Sequence, residues 1–207
     1  MNLEFLLRGW VLGLLIAAPV GPIGVLCIRR TLAEGRLYGF VSGLGAATAD
    51  ATYGAVAAFG LTFISDILIG QRVWMQVIGG LFLCYLGFKT FISRPSEQSV
   101  EVQNKSLVGA YGSTLFLTLT NPATILSFGL IFAGLGIANT GGNYFASALV
   151  VLGVFLGSAT WWFTLSGGIS LVRSRFGVTT MQWVNRISGV IITGFGIIAL
   201  ASIFVNR

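Results

Sequence analysis

The chain contains no histidine, and its only two cysteines, Cys27 and Cys84, lie far apart in separate apolar segments. Without imidazoles or a paired-cysteine motif, a classical zinc or nickel site has no obvious ligands, and no cofactor is expected. The thiols read as buried and inert. Charge is scarce as well: Asp, Glu, Lys and Arg make up 9% of the residues against 55% hydrophobic, and the mean hydropathy is +0.90. No ordinary water-soluble domain has that balance. Hydrophilic stretches are almost missing, the one clear case being residues 93–106, rich in Ser, Gln and charge.

What remains is a series of long apolar runs, at 5–28, 37–64, 69–91, 107–137, 144–172 and 182–205. About 20 apolar residues span a bilayer as a helix, whereas barrel strands are about ten residues long and alternate in polarity. The expected fold is therefore an all-α membrane protein of six transmembrane helices. A signal peptide is the alternative for the first run, but Glu4 precedes Arg8 and the run continues through Pro19 and Pro22 without a good cleavage site. It is read as a mature span.

The halves resemble each other in order. Gly43, Thr48, Ala49 and Tyr53 align with Gly153, Ser158, Ala159 and Phe163. Trp74, Gly80 and Gly87 align, one position shifted, with Trp183, Gly189 and Gly196. The expected organisation is a three-helix repeat over 1–92, a linker at 93–106 and a second repeat over 107–207. An odd number of spans per repeat inverts the second copy, as in many secondary transporters.

The net charge of +6 suggests nucleic acid only in a soluble protein; here the basic residues lie mostly in the gaps between spans. Arg29, Arg30, Arg36, Lys89, Arg94, Lys105, Arg173 and Arg175 fall on one side, Arg8, Arg72 and Arg207 on the other. By the positive-inside rule both termini face outward. Bases at helix ends are expected to snorkel away from the bilayer centre.

Asp50 is the only acidic residue in the second run and sits near its middle. A carboxylate at that depth costs about 2.5 to 3.5 kcal/mol on insertion scales, which marks it as a candidate transport site. On a helix its face holds Gly43, Ala46, Ala47, Gly54 and Ala57, all small, and Tyr53. Such a face admits either a neighbouring backbone or a small solute.

Pro19 and Pro22 flank Gly21 in the first run, and Asn121-Pro122 stands at the corresponding place in the fourth. Each proline removes a backbone donor, so both spans are expected to break, and matching breaks point to a substrate site. Half-helix N-termini suit a carboxylate, while freed carbonyls and Asp50 suit an ammonium group. An amino acid satisfies both. Thr160 is the counterpart of Asp50 in the repeat alignment, and Trp161 and Trp162 follow it deep inside a span, where they are expected to wall the cavity or face lipid. Trp10, Trp74 and Trp183, near span ends, read as interfacial belt residues.

The segment from Ala18 to Gly24, followed by Gly35, Gly39, Gly43, residues Ala49 to Tyr53 and Gly60-Leu61, resembles the N-terminal signature of the lysine exporter (LysE/RhtB) family. Phe116 to Phe128, with Thr120-Asn121-Pro122, is similar to that family's second signature, and the likeness extends over nearly the whole chain. It implies a small bacterial inner-membrane exporter of amino acids, driven by a proton or ion gradient and forming a homodimer. Pro19, Gly21, Pro22, Asp50, Asn121 and Pro122 match the motif residues. The chain departs from the usual Pro-Gly-Pro by carrying Val20, a form that resembles the branch exporting basic amino acids. The candidate binding set is thus Asp50, Pro19, Gly21, Pro22, Asn121, Pro122, Tyr53, Thr160 and Trp161. The alternatives are a metal-cation exporter, poorly supplied with ligands, and a thiol-disulfide carrier, whose two cysteines occupy non-equivalent spans.

Overall fold

The computed structural model describes residues 2–19, 21–59, 71–93, 106–121, 124, 143–175 and 177–205. Among these the secondary structure is entirely helical: α1 (Asn2–Ala17), α2 (Pro22–Glu34), α3 (Arg36–Ala58), α4 (Arg72–Phe91), α5 (Leu107–Leu119), α6 (Tyr144–Val172) and α7 (Val178–Val205), with a short 3-10 turn at Arg173–Arg175. Three are long and apolar enough to cross a membrane alone, within Val73–Phe91, Tyr144–Val172 and Thr179–Ile203. The 23 residues of α3 extend about 35 Å, which exceeds the hydrocarbon thickness, but its middle is mostly Gly, Ala, Ser and Thr and carries Asp50. The fourth expected span is described only as far as α5, and most of the linker at 93–106 lies outside the described residues.

The first expected span is two helices. α1 ends at Ala17 and α2 starts at Pro22, and their axes differ by 83°. Proline at the first position of α2 costs nothing there, because that N–H has no intrahelical partner in any case. α2 runs on to Glu34, past the expected end at 28. It stops at Gly35, whose φ of 109° suits glycine and whose N–H reaches the carbonyls of Arg30 and Thr31. One residue therefore turns the chain from α2 into α3. Elsewhere the starts are capped by side chains: Ser106 accepts from Gly109 N–H, and Asn143 from Phe145 and Ala146.

Glycine governs the packing. α1 lies against α6 with Gly9 and Gly13 under the Val150 and Val154 backbone, and Gly153 and Gly157 under that of Leu6 and Trp10. α4 lies against α7 with Gly80 on Gly196 and Gly87 on Gly189 and Thr193. α3 is gripped by α6, where Gly43 meets the Trp162 side chain, and by α5, where Gly45 meets Tyr111 and Thr114. Lipid is as apolar as leucine, so close backbone approach, not apolar burial, holds such pairs together. The large apolar side chains accordingly point outward, as with Leu3, Leu7, Val11 and Leu15 along one stripe of α1.

The buried side includes many hydrogen-bonded polar groups beside its apolar clusters: Thr114 donates to Ser42 O at 2.6 Å, Ser147 to Ala58 O at 2.8 Å, and Tyr111 to Thr48 Oγ1 at 2.8 Å. Two bases expected to snorkel belong to this interior. Arg30, 8% exposed, donates to Ser42 Oγ at 2.8 Å, Ala110 O at 2.9 Å and Ser113 Oγ at 2.8 Å, tying α2 to α3 and α5. Arg29, 9% exposed, donates to Asn185 Oδ1 at 3.0 Å and Ser93 Oγ at 3.3 Å and pairs with Glu34 at 3.2 Å. They turn inward because α2, turned away from α1, is flanked by acceptors from α3 and α5 on one side and α7 and Ser93 on the other, and the fan of guanidinium donors satisfies several at once.

Candidate functional site

The break between α1 and α2 opens one wall of a cavity of about 520 Å³. Its other walls come from the middle of α3, the first half of α4, the end of α5, Trp162 of α6 and the last third of α7. That volume falls within the roughly 300–1,000 Å³ of small-molecule sites. The lining segments of α4 (Gln76 to Leu83) and α7 (Phe195 to Ser202) are remote along their helices from Ser93 and Asn185, which meet Arg29. The cavity and the arginine-clamped end of α2 thus occupy opposite ends of the bundle.

At the α1–α2 break, Gly21 is extended with φ −105° and ψ −164°, and no side chain caps α2. The N–H groups of Ile23 and Gly24, in the first turn of α2, therefore lack both intrahelical acceptors and a side-chain cap. Both residues line the cavity, as do Pro19, Gly21 and Pro22. Three early donors and a helix dipole would favour an anion there; with proline at the first position, two donors remain.

Asp50 faces the same cavity and is 4% exposed. Ser158 Oγ donates to its Oδ2 at 2.7 Å, and Trp162 Nε1 donates to Ser158 Oγ at 3.1 Å. The hydroxyl accepts once and donates once, so its proton is directed at the carboxylate. Gly43 makes room for the indole, since a Cβ at that position would overlap it. Among the described residues Asp50 forms no ion pair, and it is the only charged residue lining the cavity. Its second oxygen remains open to a solute.

Of the residues singled out in the sequence, Asp50, Pro19, Gly21, Pro22 and Asn121 come together around this space. Pro122 lies outside the described residues. Three others stand apart from it. Tyr53 packs with Leu12, Ala58 and Val154 and donates to Leu119 O, one turn too far along α3. Thr160 is exposed on the outer side of α6, where it accepts from Trp10 Nε1 at 3.3 Å and donates to Leu156 O at 2.7 Å. Trp10 is thereby engaged with α6, whereas Trp74 and Trp183 are 66% and 57% exposed. Trp161 borders the core cluster, and the tryptophan of the cavity is its neighbour Trp162.

Ser158 carries no signal of its own in the sequence, where the repeat alignment puts it opposite Thr48. A shift of two positions separates the aligned partner of Asp50 from its spatial one. Gln76 and Ser202, polar residues inside apolar runs, line the cavity too. Cys27 and Cys84 are both free. Among the described residues there is no group of three or more His, Cys, Asp or Glu side chains placed to hold a metal ion.

Comparison with known proteins agrees with the resemblance. Residues 14–202 match the model of the LysE type translocator family. The chain is 29% identical over 191 residues to a Bacillus subtilis (strain 168) protein named as a candidate amino acid efflux protein, YcgF, covering 90% of each chain. It is 24% identical to the threonine efflux protein of Salmonella typhi, covering 86% of this chain and 88% of that one. It is 29% identical to the uncharacterized membrane protein YahN of Escherichia coli (strain K12), covering 86% and 79%. No solved structure matches the chain. The chain belongs to the LysE type translocator family, a family of membrane transporters and not of enzymes.

Proposed function

We propose that this translocator exports a small amino acid across the bacterial inner membrane, binding it as a zwitterion and coupling its passage to a proton. The observation that carries the reading is the sharing of one cavity by the Asp50 carboxylate and the uncapped start of α2. The ammonium group pairs with Asp50, and the carboxylate lies at the N–H groups of Ile23 and Gly24. Asp50 alternates between a protonated and a substrate-engaged state, so one site serves both ions in turn. The names of the relatives, amino acid efflux and threonine efflux, support the solute class and the direction.

In this reading the two halves are inverted repeats, with both termini on the outer side. The contacts of α4 with α7 support the duplication. Gly80 and Gly87 align with Gly189 and Gly196, and the observed contacts are Gly80 with Gly196 and Gly87 with Gly189. Exchanging the repeats turns one contact into the other, as a two-fold axis between them requires. With the arginine-rich end inside, the cavity opens outward and α2 closes the inner end. A homodimer, implied by the family resemblance, completes the reading; native mass spectrometry of the purified protein tests it.

The test is an efflux assay on cells loaded with a panel of amino acids, comparing wild type with Asp50→Asn at equal membrane abundance. Export of at least one amino acid by wild type, lost in the variant, is expected. Equal export by both sinks the role of Asp50.

A further inference from the structure

Gln76 is a primary amide in the wall of the cavity and is 4% exposed. Its Nε2 donates to Ser202 Oγ at 3.2 Å, and Ser202 in turn donates to Ala199 O at 2.8 Å. Among the described residues this is the only hydrogen bond of the Gln76 side chain. An amide has two N–H donors and a carbonyl oxygen with two lone pairs, so one donor and the acceptor remain unmet. That oxygen is not sealed inside the protein, so the unmet capacity is presented to whatever occupies the cavity. Its neighbours along this wall are Gly79, Gly80, Leu83, Phe195 and Ile198, which offer no side-chain polar group.

Charge limits what can arrive. Asp50 is the only charged side chain among the described lining residues, so the cavity holds one anionic partner for one ammonium group. A second cationic group, as on lysine or arginine, finds no carboxylate in that wall. An apolar side chain leaves the amide unmatched. A hydroxyl or amide can accept from the free N–H of Gln76 and donate to its oxygen.

We propose that Gln76, held in place by Ser202, is the specificity residue that reads the side chain of the transported amino acid, selecting a small uncharged one with a hydroxyl or amide. This rests on the amino-acid export reading, and it replaces the leaning toward basic substrates suggested by the Val20 motif.

The full-length protein reconstituted into liposomes allows counterflow of labelled threonine and valine to be compared, a pair of nearly equal shape that differs by a hydroxyl. Wild type is expected to favour threonine and to exclude lysine. Gln76→Leu is expected to lower the threonine-to-valine ratio by about 10-fold, the scale of one neutral hydrogen bond. Gln76→Glu, which adds a second carboxylate, is expected to admit lysine. Ser202→Ala, which frees the amide from its anchor, lowers the same ratio less and carries the test if the Gln76 variants do not reach the membrane. A wild type indifferent to the hydroxyl, or an unchanged ratio in a transporting Gln76→Leu protein, overturns the proposal while leaving export intact. A wild type that moves no amino acid overturns the export reading and the proposal with it.

Discussion

Ser158 on α6 holds the Asp50 carboxylate in the cavity wall, donating its hydroxyl to Oδ2 at 2.7 Å while accepting from Trp162 Nε1 at 3.1 Å. The contact joins α3 to α6. It also fixes which oxygen of Asp50 is occupied and which can meet a cation. Ser158→Ala is therefore expected to leave the indole N–H without its acceptor and the carboxylate free to rotate. The apparent KM for the exported amino acid should rise by roughly 10-fold, the scale of losing a hydrogen bond to a charged group. Transport kinetics in proteoliposomes check this; Ser158→Thr, which keeps the hydroxyl, should retain most of the affinity.

Close glycine contacts give predictions of opposite sign. A Cβ at Gly157 would overlap the Trp10 carbonyl oxygen, whereas nothing lies within 4 Å of the position a Cβ would take at Gly112. Gly157→Ala should force α1 off α6 and destabilise the bundle by about 1–3 kcal/mol. Gly112→Ala, inside α5, should stabilise by roughly 0.5–1 kcal/mol through reduced backbone freedom. Thermal unfolding of both variants in the same detergent reads the contrast.

The buried arginines predict how α2 is held. Arg30→Ala removes the donor to Ser42, Ala110 and Ser113 at once; Ala110 O still accepts from Ser113 and Thr114, so the cost falls on the two serine hydroxyls, at about 1–3 kcal/mol for each that finds no water. Arg30→Lys should recover only part of this, because one ammonium cannot span both flanks of α2. A separate readout follows from Cys27, which is 0% exposed on the same helix. In a Cys84→Ser background, Cys27 should resist maleimide labelling in the otherwise native protein and become reactive in Arg30→Ala. Unchanged protection would mean that α2 is held without Arg30, by the Arg29 contacts and its apolar packing.

Much of this architecture was legible in the sequence because membrane proteins expose their grammar in apolar run lengths. The runs located helices near α3, α4, α6 and α7, and the proline pair located the break between α1 and α2. Pro19, Gly21, Pro22, Asp50 and Asn121 were legible as site candidates because each is costly or disruptive in a membrane helix. Ser158, Trp162 and Gln76 were not, since their importance depends on which face of one helix meets another. A repeat alignment fixes sequence correspondence, not contact, and so it pointed from Asp50 to Thr160 instead of Ser158. Arg29 and Arg30 read as topology markers in the sequence because the first apolar run ends at residue 28, which leaves both in a connection between spans. Only the 83° turn brings them against acceptors from both sides.

The most direct test of the account is amino-acid accumulation driven by an imposed proton gradient in proteoliposomes, measured for wild type, Asp50→Asn and Asp50→Glu. Wild type is expected to accumulate its substrate against a concentration gradient. Asp50→Asn should lose that accumulation, and Asp50→Glu should retain part of it because the carboxylate survives one methylene further from α3. Gradient-driven accumulation by Asp50→Asn at the wild-type level would contradict the central place given to this residue.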